Sequence, residues 1–321
     1  MLGKKRFQNR IAASRFSLPV TATLAALVWV AVSLVWGNIW IEFGFAIVST
    51  LLMVELNNRN ALMRTYSRMV SCSFLALATM VSLPNPSLKG SIVTMCFIAF
   101  YLIIWNSYQD KKAAGWTFYA FFCIGLASTV FVQIIYYLPF LWIMMAFFTN
   151  SFGIRTFFAS LVGFIAPYWF TAGYYLYTEK LQDLANHFLE IANYQQLFDY
   201  NMLTDHQIVN TAFITLLAIL GTVHFFRTSY ADKIRTRMIY ESFIYIVLLS
   251  MVFMLLQPQH KNEVGGILMV CTSPLIAHFV TFTKGKIPNA TFICLLVAMV
   301  IILLFNLLVP ETTVWNSSSI S

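Results

Sequence analysis

Charge is what this chain has least of. Only 10% of its 321 residues are Asp, Glu, Lys or Arg, where a soluble domain carries about 25%. That excludes an ordinary water-soluble globule. Cysteine is sparse and scattered: Cys72, Cys96, Cys123, Cys271 and Cys294 all fall in apolar runs, and none forms a CxxC pair. Neither a zinc site nor a disulfide framework is expected, and no metal or other cofactor is read from the sequence. Glycine is scarce too, with thirteen residues, although membrane helices are usually enriched in it. Helix contacts are therefore expected to be made by bulky Phe, Tyr, Trp and Met. Ionisable groups are almost missing from the middles of the apolar runs. A proton or sodium pump needs a relay there, so that mechanism is disfavoured.

What is present is hydrophobic length. The chain is 60% hydrophobic, and its apolar runs recur at the roughly 17–25 residues that cross a bilayer as helix. Eleven spans are read, at 17–36, 39–56, 67–84, 91–107, 114–131, 134–149, 155–177, 207–227, 238–257, 264–282 and 288–309. The fifth and sixth read either as two short helices or as one bent pair that does not fully cross. The first run is long and no small-x-small site precedes Asn38, so it reads as an uncleaved span rather than a signal peptide.

Basic residues resist translocation, so they assign the sides. With the N-terminus inside, Lys4, Lys5, Arg6, Arg10, Arg15, Arg59, Arg64, Arg68, Lys111, Lys112, Arg155, Arg227, Lys233, Arg235, Arg237, Lys284 and Lys286 are all cytoplasmic. Only Lys89, Lys180 and Lys261 fall outside. The expected fold is therefore an all-α polytopic bundle with its N-terminus inside and its C-terminus outside. A basic cytoplasmic segment (1–16) leads into a transmembrane domain (17–309), and an extracytoplasmic tail (310–321) follows. The net charge of +8 lies in short loops beside spans, which points to an anionic leaflet and not to nucleic acid. The expected location is the bacterial inner (cytoplasmic) membrane.

One loop, Thr178 to His206, is long enough to build something outside the bilayer. Leu181, Leu184, Phe188, Ile191, Tyr194 and Phe198 recur every three or four positions, a helical apolar stripe. An outer-surface amphipathic helix is predicted over 180–198. Asp183, His187 and Glu190 share one face of it, at spacings that suit cation binding or acid–base work. A solvated polar face is the plainer reading. Asp199, Asp205 and His206 follow.

Other polar groups are few. Glu42 starts the second span on the outer side. Arg59 and Arg64 belong to the densest inner cluster, with Glu55, Asn57, Asn58 and Asn60; they suit contact with a phosphate or a partner. His224 and His278 are placed at similar depth. Asn306 is expected to make a helix–helix hydrogen bond. Trp40, Tyr168 and Trp169 belong to an aromatic belt, part of which is able to stack on sugar rings. Pro139, Pro167 and Pro274 sit within spans and are expected to break or kink them.

The stretch YYLPFLWIMMAFFTNSFGIRTFFASLVGFIAPYWFTAGYYLY, with Arg155 on an inner turn and the pair Pro167-Tyr168, resembles the middle of an uncharacterised multi-pass inner-membrane family of Bacteroidota. The chain also resembles, more distantly, GT-C glycosyltransferases that use polyprenyl-phosphate sugars. Glu42 matches the acid that those enzymes place in their first outer loop. That resemblance implies Glu42 and Asp183 as catalytic acids. It implies Glu190, Asp199, Asp205, Trp40, Tyr168 and Trp169 as substrate contacts, and a polyprenyl-phosphate lipid as partner. The absence of outer arginines argues against O-antigen ligase or polymerase chemistry.

Three function classes follow. The first is a non-enzymatic subunit or scaffold of an envelope-biogenesis complex, with a membrane-protein partner. The second is a GT-C-like enzyme, or an accessory to one, in lipid-linked-sugar metabolism. The third is a transporter or flippase.

Overall fold

The computed structural model describes residues 6–37, 39–192 and 203–309. Every element among them is helical, and no strand is present. Helix is what lipid demands, because each backbone N–H and C=O must find its partner within the segment. The elements are α1 (Phe7–Ala13), α2 (Ser17–Trp36), α3 (Trp40–Asn60), α4 (Met69–Ser82), α5 (Leu88–Ile104), α6 (Ala114–Ser128), α7 (Leu138–Phe147), α8 (Ile154–Tyr177), α9 (Leu181–Leu189), α10 (Asp205–Thr228), α11 (Ile234–Leu256), α12 (Lys261–Phe282) and α13 (Lys286–Leu308). All eleven apolar runs appear as helix. Eight helices among the described residues are long and apolar enough to cross a membrane, and the chain is an integral membrane protein. The shorter apolar helices are Met69–Ser82, Ala114–Ser128 and Val132–Phe147.

The chain forms two compact units. The first is Met1–Leu88 with Phe198–Ser321, and the second is Lys89–Leu197. In the first unit α12 is the core. It is buried without interruption from Val264 to Val280, packed by α4, α10 and α11. By contrast α13 buries only Phe292 and Asn306. Close approach needs small residues: a Cβ added at Gly221 of α10 would sit 2.7 Å from the backbone of Leu275. A satellite cluster of Trp29, Val32, Ile39 and Leu83 packs where α2, α3 and α4 meet. There Trp29 Nε1 donates to Thr79 Oγ1 at 3.3 Å.

In the second unit α6 lies against α8. A Cβ on Gly125 would collide with the Phe164 carbonyl, and one on Gly163 with the Phe118 carbonyl. The expectation that bulky residues alone make the contacts is thus corrected. Gly125, Gly163 and Gly221 stand where two helix backbones approach closely, as in small-residue packing generally. Rings of α5 fill the next layer: Phe100 meets Phe121 edge-on at 5.7 Å, and Phe97 meets Tyr137 at 6.5 Å.

Several buried hydroxyls are satisfied locally, by donating to carbonyls one turn back. Thr79 bonds Leu75, Thr94 bonds Gly90, Thr117 bonds Ala113 and Ser273 bonds Met269. This is how polar side chains are tolerated in apolar helices. The internal prolines do not interrupt their helices. α8 and α12 run through Pro167 and Pro274 as single helices, while Pro139 sits in the first turn of α7, where its missing N–H costs nothing. The short helix α1 lies in the segment read as a plain basic leader. The helix predicted over 180–198 is α9, which ends at Leu189. Tyr194 and Phe198, like the tail 310–321, lie outside the described residues.

Candidate functional site

The most polar buried cluster of the first unit stands at its basic end. α3 stops where Ala61 turns left-handed, at φ 47°, and a tight loop carries the chain to α4. That loop is fastened at several points. Asn57 Nδ2 donates to the Ser67 carbonyl at 3.0 Å, and Arg235 Nη2 donates to Asn60 Oδ1 at 3.1 Å. The loop presents Arg64, whose Nε lies 2.8 Å from Asp232 Oδ1. Its guanidinium also covers the Phe282 ring at 4.2 Å, a cation–π contact.

Asp232 comes from the turn between α10 and α11, and its side chain is fully buried. Its second oxygen receives His278 Nε2 of α12 at 3.1 Å. A carboxylate only accepts, so the hydrogen of that bond sits on Nε2. Aromatic rings box the imidazole: Tyr240 at 5.0 Å, Phe225 at 5.6 Å and Phe282 at 4.7 Å. His224 of α10 lies 5.3 Å from it, ring to ring. The equal depth expected for the two histidines is what the structure has. Arginine, carboxylate and imidazole together tie the α3–α4 loop, the α10–α11 turn and α12 into one knot.

A second polar cluster clamps the other end of the same unit. Asn306 of α13 donates from Nδ2 to the Met80 carbonyl at 2.9 Å and to Asn210 Oδ1 at 3.0 Å. Its Oδ1 lies 3.1 Å from His206 Nδ1. Asn306 therefore makes the predicted interhelical bond, and reaches α4 and α10 together. His206 is fully buried, not a loop residue facing water.

The second unit has its own cluster around Tyr168. The tyrosine hydroxyl bonds the Ser128 hydroxyl. His187 Nε2 lies 3.0 Å from the Ser128 carbonyl, and Phe188 packs on the Tyr168 ring at 5.1 Å. Tyr136 donates to the Ile191 carbonyl at 2.6 Å. So α9 folds back on the end of α6 through His187 and on α8 through Phe188.

The residues singled out as a site are dispersed. Glu42 is half-buried in the first turn of α3 and makes no hydrogen bond or ion pair to a described residue. Trp40 is 50% exposed beside it. Asp205 heads α10, whose Thr204 N–H donates to Gln207 in a capping box at 3.0 Å. In the second unit Asp183 and Glu190 are exposed, Trp169 is 78% exposed, and Tyr168 is the one predicted contact residue with a built environment. Asp199 lies outside the described residues. Arg59 pairs with Glu55 on the surface at 3.4 Å, while Arg64 is directed to Asp232 and not into open space. No group of three or more His, Cys, Asp or Glu with metal-holding geometry exists among the described residues. Sequence reasoning missed Asp232. The only signal was an acid in an inner loop otherwise made of bases, TSYADKIRTR.

No protein-family model matches the chain, and neither a curated protein nor a solved structure is detectably similar to it.

Proposed function

We propose that this protein is a non-enzymatic subunit or scaffold of an envelope-biogenesis complex in the bacterial cytoplasmic membrane. One observation carries the reading: in the first unit the polar side chains at helix ends are spent on one another. Arg64, Asp232 and His278 close one end, and His206, Asn210 and Asn306 close the other. A bundle tied at both ends suits a fixed surface for partners better than rocking between two access states. Affinity purification in mild detergent is expected to return a stoichiometric membrane-protein partner. A monomeric, partner-free particle overturns the reading.

The arrangement proposed in the membrane is eleven crossings, with the N-terminus inside and the C-terminus outside. The sorting of basic residues supports it. α6 has 15 residues and α7 has 10, so at about 1.5 Å per residue both fall short of a hydrocarbon core of about 30 Å. Treating them as a re-entrant pair reduces the crossings from eleven to nine, leaves Lys112 and Arg155 on one side, and keeps every other loop's assignment. Cysteines placed at Ser87 and Ser318 are expected to react with an impermeant reagent from outside. Reaction only from the cytoplasm refutes the topology.

The lipid-linked-sugar reading keeps one supporting observation, the unpartnered and half-buried Glu42 at the start of α3. A Glu42→Gln variant that abolishes envelope glycan synthesis at normal abundance would favour it over the scaffold.

A further inference from the structure

The first unit contains a half-open cavity of about 410 Å³ bounded by α1, α2, α4, α10, α12 and α13. Its long walls are apolar, with Leu24 of α2, Leu77 of α4, Leu217 of α10 and Leu296 and Met299 of α13. Its near end, the mouth, is lined by Ile11, Ser14 and Phe16. Along α2 it runs from Ser17 to Leu24, a rise of about 10 Å. That is most of one leaflet, taken as roughly half of a 30 Å core.

The near end is held open by a built contact. Gln8 of α1 is 1% exposed. Its backbone N–H donates to Asn289 Oδ1 at 3.1 Å, and its Nε2 donates to the Val280 carbonyl at 2.7 Å and to Thr283 Oγ1 at 2.5 Å. α1 is thereby strapped under the ends of α12 and α13, and it carries its bases to the cavity mouth. The helices around that mouth bring Arg6, Arg10, Arg15, Arg68, Lys284 and Lys286, while residues 1–41, 61–88 and 283–309 contain no Asp or Glu. The carboxylate near this end of α12, Asp232, is buried against Arg64 and His278. Arg6 Nη1 is buried with no hydrogen-bond partner among the described residues.

We infer that this cavity is a binding site for an anionic phospholipid of the leaflet that the N-terminus faces. One acyl chain lies between α2 and α13, and the phosphate sits among the arginines of the α1 strap. The apolar walls select a chain, and the acid-free basic mouth selects a negative headgroup. Each arginine near such a surface is worth about fivefold in affinity.

The test uses the full chain in mild detergent, with thermal stabilisation and native mass spectrometry as readouts. Phosphatidylglycerol is expected to raise the unfolding temperature and remain bound, while phosphatidylcholine does neither. Glycerol phosphate, which has the anion without the chain, is expected to have no effect. Ala76→Phe fills the cavity from α4 and is expected to remove the phosphatidylglycerol effect. Arg10→Gln with Arg15→Gln changes two exposed side chains, and is expected to weaken phosphatidylglycerol binding by about tenfold or more. Equal response to the two lipids, equal protection by glycerol phosphate, or full retention in both variants overturns the inference. If Ala76→Phe does not fold, the double arginine variant decides alone.

Discussion

In the first unit, helices gather around one buried helix, α12, and polar knots close both ends. In the second, α6 and α8 clasp directly, Gly125 against the Phe164 carbonyl and Gly163 against the Phe118 carbonyl, and no ion pair lies among the described residues. Charge suits the first case because its knots sit at helix ends, where loops supply Arg64 and Asp232. In the second, the contact runs along the helix shafts, where an ionised group would be costly. There, removal of side-chain volume is the available device. The two units differ in what should break them: the second by adding atoms, the first by removing a partner.

The largest effect is expected at the glycine clasp. Gly163→Val places methyl groups where the Phe118 carbonyl stands, and overpacking of this kind costs about 3 kcal/mol or more when backbone must shift. A collapse of the unfolding temperature in detergent is the expected result. Gly173→Ala, with nothing within 4 Å of the new Cβ, should leave it unchanged. If both variants behave alike, the clasp is not what holds α6 to α8.

Next comes the ionic knot. Arg64→Met leaves the Asp232 carboxylate buried without its guanidinium partner. Loss of one partner of a buried pair costs about 3–5 kcal/mol, and the lower figure applies because Arg64 is itself 32% exposed. Adding Asp232→Asn removes the stranded charge while keeping an acceptor for His278 Nε2. The double variant is therefore expected to recover a large part of the loss. A strictly additive double variant would show that the two residues do not act together.

A smaller effect is expected at α9. Phe188→Asp removes the ring that packs on Tyr168, and burial of such a side chain is worth about 1.5–3 kcal/mol when complete; Phe188 remains 42% exposed, so the low end applies. Limited proteolysis should cut the loop faster. Asp183→Asn should not change the rate, because Asp183 is exposed and surface charge contributes about 0–1 kcal/mol. Acceleration by both would mean that the acid, too, anchors the loop. The smallest effect is expected for Glu42→Gln, with no change in abundance or partner recovery. Loss of the partner would place Glu42 in the interface.

The helices were legible in the sequence because lipid leaves few alternatives. Each apolar run became a helix, and the stripe of Leu181, Leu184 and Phe188 became α9. What escaped notice depends on contacts between distant segments. Asp232 looks like an ordinary loop acid until Arg64 and His278 are brought to it from 168 and 46 residues away. The importance of Gly125 and Gly163 was hidden by their rarity, since composition counts glycines and does not say which face a carbonyl. The helix α1 was hidden by its bases: Gln8, the residue that anchors it, carries no charge and no pattern. Of the candidate site, Tyr168 and the His224–His278 pair were seen in outline. The acids Glu42, Asp183, Glu190 and Asp205 were chosen for their chemistry, and two of them belong to each unit.

The position of α12 in the chain has a consequence for synthesis. Helices α2, α3 and α4 leave the ribosome first, but the helix that α4 packs on comes next to last. The whole of segment 89–197 is made in between. α12 begins at Lys261, about 180 residues after α4 ends at Ser82, so at about 5–20 residues per second the first helices wait roughly 9–36 s. During it the polar loop with Arg64 has no Asp232, and Trp29 and Thr79 must hold their end of the bundle alone. A chain halted before Lys261 is therefore expected to be an orphan that the membrane quality-control proteases clear. Co-expression of 261–321 as a separate piece should rescue it, measurable as recovered abundance of the truncated half.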